Sequence, residues 1–246
     1  MKPRSHTLFH LTKTVEKLES ILLNGFWPSY CQEDFNWYNP ETKLISYPMV
    51  CFCDIPLTRI DTHIKFYGSY GLGLTKQWAM SNKLSPVIYI PDDTRLSNAL
   101  TRMLHKGAKP QSEYYKESTE DINSIISYIK PIEGKANKVD GEVVQKEFYQ
   151  ENEWRYTADL KGVLPQWISK EDHSSPELLS FYNEVTKSVS PLKFSAEDIR
   201  YIFVKFDKDI PNIIDFIQAK LTHYTERDRK ILTSRIISLK SINIDL

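Results

Sequence analysis

The feature that most constrains the fold is the stretch QENEWRY, residues 150–156. As a β-strand, this stretch would send alternate side chains to opposite faces. The rings of Trp154 and Tyr156 favour burial in the core. Their burial would gather three charged side chains on the opposite face: Glu151, Glu153 and Arg155. Two carboxylates with a cation beside them can hold a ligand hydroxyl while one acid stays ionised. The alternative is an edge strand whose polar face is solvated.

The composition describes a neutral chain with the size of one large domain. Its 246 residues include 41% hydrophobic side chains, enough for a sizeable core. The 32 basic and 32 acidic residues cancel, so no global field would gather nucleic acid. No run approaches the roughly 20 apolar residues of a membrane-spanning helix, and the first residues do not resemble a signal peptide. We therefore expect a protein that does not bind membranes.

Three cysteines bear on both location and metal binding. Cys31, Cys51 and Cys53 cannot form a complete disulfide framework, which favours a reducing, cytoplasmic setting. A strand over Val50–Pro56 would put Cys51 and Cys53 on one face. A zinc site would need two further ligands close by. Buried thiols are the better interpretation, and we expect no metal.

Hydrophobic periodicity predicts strands and helices in irregular alternation, which argues for an α+β fold. We predict one α+β domain over residues 1–246 with a mixed central sheet. Residues 92–130 should form a helical insertion, 131–144 a polar connection and 242–246 a last strand. The expected strands of the central sheet lie near Leu8–Thr12, Gly71–Thr75, Asn152–Thr157 and Ile199–Phe206.

Two stretches offer side chains for ligand contact. His10 and Thr12 lie on the more polar face of the first strand, where a lone histidine is more often structural. The segment Tyr67–Trp78 has three glycines within six positions, which indicates a close approach of the backbone to another group. Tyr67 or Tyr70 could stack on a ligand ring, or could simply close the core. The spacings of known phosphate-binding glycine motifs are absent.

The segment Phe26–Pro48 is rich in aromatic residues and is expected to be loop-like. Such aromatic density disfavours disorder. A long loop inside a compact domain is often functional, so this one could be a flap or a protein interface. The alternative is a small hydrophobic cluster beneath the loop.

Several motifs together resemble the AbiGi family of bacterial abortive phage-resistance proteins. They are FHLTK, LESILLNGF, MVCFCDIPL, YGSYGLGLTKQWA, SPVIYI, NEWRY and the ending LTSRIISLKSINIDL. The resemblance covers most of the chain. It implies the antitoxin-like half of a defence pair whose partner looks like a nucleotidyltransferase toxin.

A fainter resemblance, carried by three short patches, points to DarT-like ADP-ribosyltransferases. A histidine strand followed by a helix of the form LxxILxxG is similar to their opening, and Glu-x-Glu is familiar in that superfamily. The resemblance implies an ADP-ribosyltransferase-like fold with NAD as co-substrate. Glu153 would be catalytic with Glu151 assisting, and the residues contacting NAD would be His10, Thr12, Tyr67, Tyr70 and Arg155.

The chemistry of such a site is physically coherent. Cleavage of the nicotinamide–ribose bond builds positive charge on the sugar, which a nearby carboxylate stabilises. A histidine fixes the ribose or phosphates, and an aromatic wall holds the planar ring. Two functions therefore stay open. One is an NAD-consuming enzyme of phage defence, with protein, nucleic acid or water as acceptor. The other is a non-catalytic antitoxin that binds a partner toxin.

Overall fold

The computed structural model describes residues 5–35, 44–106, 121–160 and 162–245. Within them lies an eight-stranded sheet in the order β12-β11-β4-β1-β3-β10-β5, with β2 also paired to β3. Two further pairs, β6-β7 and β8-β9, lie outside it. The strands are β1 (Thr7–Thr12), β2 (Ser29–Asp34), β3 (Leu44–Cys53), β4 (Tyr70–Thr75), β5 (Ser85–Pro86), β6 (Ile88–Ile90), β7 (Ile129–Pro131), β8 (Glu133–Asn137), β9 (Val143–Glu147), β10 (Glu153–Thr157), β11 (Ile199–Val204) and β12 (Ile236–Ser238).

Helices cover both faces of this sheet. They are α1 (Val15–Asn24), α2 (Ile60–Tyr67), α3 (Lys76–Ser81), α4 (Arg95–Lys106), α5 (residues 121–126), α6 (Lys170–His173), α7 (Pro176–Val189), α8 (Ile210–Lys220), α9 (Glu226–Thr233) and α10 (Leu239–Asp245). Among the described residues, no helix is both long and apolar enough to cross a bilayer.

The sheet is mixed, because β11 and β12 run parallel while its other pairs are antiparallel. The predicted α+β class with a mixed central sheet is therefore confirmed, as are the four predicted strands to within two residues at each end. The strands of this one sheet are distributed along the sequence from Thr7 to Ser238. The single domain over 1–246 stays a prediction that this strand order favours.

The first core cluster packs α1, α3 and α8 against one face of the sheet. It contains Leu8, Phe52 and Leu74 from the strands, and Leu18 and Ile213 from the helices. The opposite face buries Phe9 and Cys53 against α2 and α10. Alternate residues of one strand thus serve two cores, as period-two geometry requires.

The glycines of the segment Tyr67–Trp78 bring β4 close to β1, as the sequence indicates. A Cβ at Gly68, where φ is +107°, would lie 2.3 Å from the Thr12 carbonyl oxygen. A Cβ at Gly71 would lie 2.1 Å from the His10 carbonyl oxygen. Because both contacts are backbone atoms that cannot move aside, these positions require glycine. The group that the backbone approaches is therefore β1, which carries His10.

Three expectations about local structure are wrong. The segment Phe26–Pro48 contains the β2-β3 hairpin, and its described rings are buried at Phe26, Tyr30, Phe35 and Tyr47. The alternative of a small hydrophobic cluster is confirmed, because Phe35 and Tyr47 pack together with Ile45 and Met49. Trp37 and Tyr38 lie outside the described residues. Residues 133–147 form the β8-β9 hairpin instead of an irregular connection, and α10 replaces the expected last strand.

The insertion at 92–130 is helical only in part. It contains α4 and α5, but Ile129–Pro131 forms β7, which pairs in parallel with β6. Residues 107–120 lie outside the described residues. This strand matters for the site, because it carries Lys130, whose side chain reaches Glu153 of β10.

Candidate functional site

The site is organised by a gap along one edge of β3. On one edge, β3 pairs with β10 over Met49–Cys53. On the other edge it pairs with β2 from Leu44 to Met49, and with β1 only at Cys53. Strands β1 and β2 therefore diverge. Within the described part of the chain, residues 50–52 have no strand partner on that edge.

A cavity of about 940 Å³ lies at this gap. It is bordered on the α1 side of the sheet by His10 and Phe26, and on the opposite side by Cys51, Glu151 and Glu153. Because its walls come from both faces, the cavity passes through the sheet between β1 and β2. Its volume is within the usual range for small-molecule sites.

His10 fills part of the gap that a strand would otherwise occupy. Its Nδ1 lies 2.8 Å from the Cys51 carbonyl oxygen. A carbonyl only accepts, so Nδ1 is the protonated nitrogen and a neutral ring keeps Nε2 as an acceptor. Burial lowers the pKa of His10, against the opposing effect of the Cys51 carbonyl. The neutral ring suits a ligand hydroxyl better than a phosphate.

Glu153 has a cation on each carboxylate oxygen. Arg155 Nε donates to Oε1 at 2.6 Å, and Lys130 Nζ donates to Oε2 at 2.7 Å. Burial alone would raise the pKa of Glu153, but Arg155 and Lys130 outweigh it and hold the pKa well below its usual value. The carboxylate is therefore ionised at neutral pH.

Glu151 reaches the same cluster from outside the strand. It ends the short 3-10 turn Phe148–Glu151, and Asn152 follows in the left-handed region with φ 43°. Lys130 Nζ donates to Glu151 Oε2 at 2.9 Å, and Lys146 and the Tyr67 hydroxyl both donate to Oε1. Burial raises the pKa of Glu151, yet the two lysines outweigh it and the pKa lies below its usual value.

Arg155 closes the network beneath the cavity and is fully buried. Its Nη2 donates to Glu33 at 3.0 Å and its Nη1 donates to the Ser127 carbonyl at 2.7 Å. The charged cluster, defined as Glu33, Lys130, Lys146, Glu151, Glu153 and Arg155, therefore contains three acids and three bases. Its formal charge is zero, so each of its three carboxylates has a compensating cation within the cluster.

Along β10 the charged side chains are more deeply buried than the aromatic ones, which is the opposite of the prediction. Trp154 and Tyr156 do point away from the charges and pack against the first core cluster, but they are only partly buried. Glu153 and Arg155 are 4% and 0% exposed. The period-two prediction is thus confirmed for direction and wrong for burial, because the ion pairs compensate the charged face and allow it to be covered.

Five of the seven residues predicted for the site line the cavity. They are His10, Thr12, Tyr67, Glu151 and Glu153. Arg155 lies below the cavity wall, where it holds Glu153. Tyr70 lies elsewhere: its hydroxyl donates to Asp209 at 3.3 Å, and it borders a separate cavity with Lys205. His10 and Glu153 face opposite sides of the sheet, so only a ligand that enters the gap could touch both.

Sequence reasoning missed the two lysines and Glu33. Lys130 was missed because its segment is expected to be helical. Its position between the apolar residues Ile129 and Pro131 is nevertheless typical of a strand. Lys146 comes from β9, where no strand is expected. Lys146 Nζ also donates to the Tyr67 hydroxyl at 3.2 Å, so it links the β8-β9 hairpin to α2.

The cavity has the volume of a small-molecule site, but its charges suit an NAD-cleaving site less well. It offers aromatic walls at Trp27, Phe66 and Phe148. Both glutamates, however, are already neutralised, and Lys130 lies between them. Positive charge developing on a ribose there would meet a balanced cluster instead of a free anion.

The described residues hold no group of three or more His, Cys, Asp or Glu side chains suited to a metal ion. Burial raises the pKa of the Cys31 thiol to about 12, with a further rise from Glu33, and burial also raises the pKa of Cys51. Burial raises the pKa of Cys53 in the same way, so all three of these cavity-lining thiols are protonated and are poor nucleophiles.

Comparison with known proteins identifies relatives of this chain. Residues 24–205 match the family model described as "Putative abortive phage resistance protein AbiGi, antitoxin". The chain is 31% identical over 252 residues to "Abortive phage resistance protein AbiGi" of Lactococcus lactis subsp. cremoris, an alignment that covers 90% of this chain and 99% of that relative. No solved structure matches the chain.

Proposed function

Because the chain belongs to the AbiGi family of abortive phage resistance proteins, we propose that it is the antitoxin of a phage-defence pair. It acts by binding a toxin protein, which the family description implies as its partner. The three free cysteines suit a reducing compartment such as the cytoplasm.

The observation that carries this proposal is the charge balance of the cluster around Glu153. A carboxylate stabilises a cationic transition state less strongly when cations already engage both of its oxygens. Here Arg155 and Lys130 engage both oxygens of Glu153, and Lys130 and Lys146 engage those of Glu151. The cluster therefore supports a structural role for Glu153, and it leaves neither glutamate as a free anion for NAD cleavage.

The first test is co-expression with the adjacent gene of the defence locus. We expect the two proteins to co-purify and to elute together from size-exclusion chromatography at micromolar concentration, because a stable antitoxin complex has a dissociation constant well below that. Cells carrying both genes should grow, whereas cells carrying the neighbouring gene alone should not. Separate elution together with no protection would contradict the antitoxin proposal.

A second candidate function is favoured by the cavity itself. We propose that a compound of NAD's kind, with a planar ring and ribose hydroxyls, binds in the gap between β1 and β2 with or without being cleaved. Support comes from the five predicted residues that line one cavity, and from the acceptor Nε2 of His10. An ADP-ribosyltransferase-like fold belongs to this proposal as well, with nucleic acid among the acceptors.

For this second function, His10→Phe should weaken NAD binding about tenfold, the effect of one lost hydrogen bond. The phenyl ring preserves the edge contacts that His10 makes with Phe26 and Phe52, at centroid distances of 5.0 and 5.5 Å. Calorimetric titration with NAD gives the affinity. Tyr70→Phe, which alters a hydroxyl outside the cavity, is the matched control. Equal affinities of all three proteins, or no binding by the wild type, would exclude the cavity as the NAD site.

A further inference from the structure

Among the described residues, helix α7 contacts the protein body along the side that carries Leu179, Tyr182, Asn183 and Thr186. The Asn183 side chain accepts from the Tyr30 amide at 2.9 Å, and the Thr186 hydroxyl donates to the Pro28 carbonyl. Leu179 and Tyr182 pack onto the cluster around Tyr30. At 100° per residue, these side chains define the inner side of α7.

The rest of α7 divides into two flanks of different character. Leu178, Phe181, Val185 and Val189 recur at spacings of three and four residues and form an apolar flank. Leu178 is 41% exposed, Phe181 59% and Val189 48%. The other flank is polar and includes Ser180, Glu184 and Ser188. A stripe of large apolar side chains left in solvent marks an interaction surface.

The segment that carries the apolar flank is acidic overall. Residues 170–190 contain four acids, Glu171, Asp172, Glu177 and Glu184, against two lysines. One of these lysines, Lys187, lies 4.9 Å from the centre of the Trp27 ring and is directed to the protein body. A second copy of this chain is a poor occupant, because a twofold contact would bring two acidic surfaces together.

We propose that α7 is the toxin-binding helix, and that its apolar flank enters an apolar groove bordered by lysine or arginine on the toxin. This inference rests on the proposed antitoxin function. The spacing of the anchors is that of helix-in-groove recognition, in which one large residue near the centre dominates the affinity. Phe181 has that position. Helix α7 also lies within residues 24–205, the part of the chain to which the antitoxin description applies.

The test compares toxin binding by the wild type, Phe181→Asp and the control Ser180→Asp. Phe181→Asp should weaken binding about a hundredfold, because it removes the central anchor and places a charge in the groove. Ser180→Asp adds the same charge on the polar flank and should bind as the wild type does. Surface plasmon resonance with the toxin from the co-expressed complex gives both constants. Circular dichroism checks that α7 still folds, and Leu178→Gln provides a second, milder change on the same flank.

The outcomes separate the two proposals. If the wild type binds the toxin and Phe181→Asp and Leu178→Gln bind equally well, α7 is not the docking helix and the antitoxin function stands. If the wild type does not bind, the antitoxin function itself fails. If light scattering shows a wild-type dimer that Phe181→Asp converts to a monomer, the flank joins two copies of this chain and the inference is overturned.

Discussion

Replacing Arg155 with methionine should lower the free energy of unfolding by about 3–5 kcal/mol. Arg155 is fully buried and pairs with Glu153 at 2.6 Å and with Glu33 at 3.0 Å. Methionine fills similar space, but Glu33 and Glu153 both lose their arginine partner. Lys130 and Lys146 are then the only cations for the cluster's three carboxylates. An uncompensated buried charge is far more costly than a lost surface ion pair, which contributes about 1 kcal/mol or less.

Urea unfolding followed by tryptophan fluorescence measures this loss. The control is the double variant Glu153→Gln/Arg155→Met, which removes one charge of each sign and should recover a large part of the stability. A loss below about 1 kcal/mol for Arg155→Met would mean that the cluster is solvated like a surface pair.

The central sheet was accessible to sequence reasoning because its signals are local. Period-two alternation gave the directions of Trp154 and Glu153, and the glycines at 68 and 71 indicated the close approach that β1 makes. Each of these inferences depends on neighbouring residues alone. Each is confirmed.

The composition of the charged cluster was not accessible in that way. Its six members come from β2, β7, β9, the turn before β10 and β10 itself, over more than a hundred residues of sequence. Alternation shows that Glu153 and Arg155 share a face, but it cannot show that Lys130 lies across from them. Lys130 and Glu33 explain the inverted burial, because they engage the groups of Glu153 and Arg155 that the pair itself leaves free.

Lys130 also changes how the substitution Glu153→Gln has to be interpreted. At a carboxylate that faces an open cleft, Glu153→Gln would barely disturb folding. In the structure, glutamine would leave Lys130 and Arg155 with one acid fewer in a buried site. A loss of activity in the single variant could therefore reflect unfolding, and only a charge-balanced variant separates chemistry from stability.

Glu153→Gln/Arg155→Met should remain folded and should protect cells from the partner toxin as the wild type does. If Glu153 is structural, its charge matters only through Arg155 and Lys130, and the toxin-binding surface is elsewhere. If Glu153 instead acts on a bound NAD ribose, removal of its charge should reduce the reaction a hundredfold or more, by about the effect of one preorganised electrostatic contact.

The most direct measurement is survival of cells that express the toxin together with either the wild type or Glu153→Gln/Arg155→Met, after circular dichroism has shown that both are folded. Nicotinamide release from NAD is measured on the same two purified proteins. Equal survival, with no nicotinamide release by either protein, is the result expected for an antitoxin that acts by binding. A folded double variant that fails to protect, beside a wild type that releases nicotinamide, would contradict that account and assign a catalytic role to Glu153.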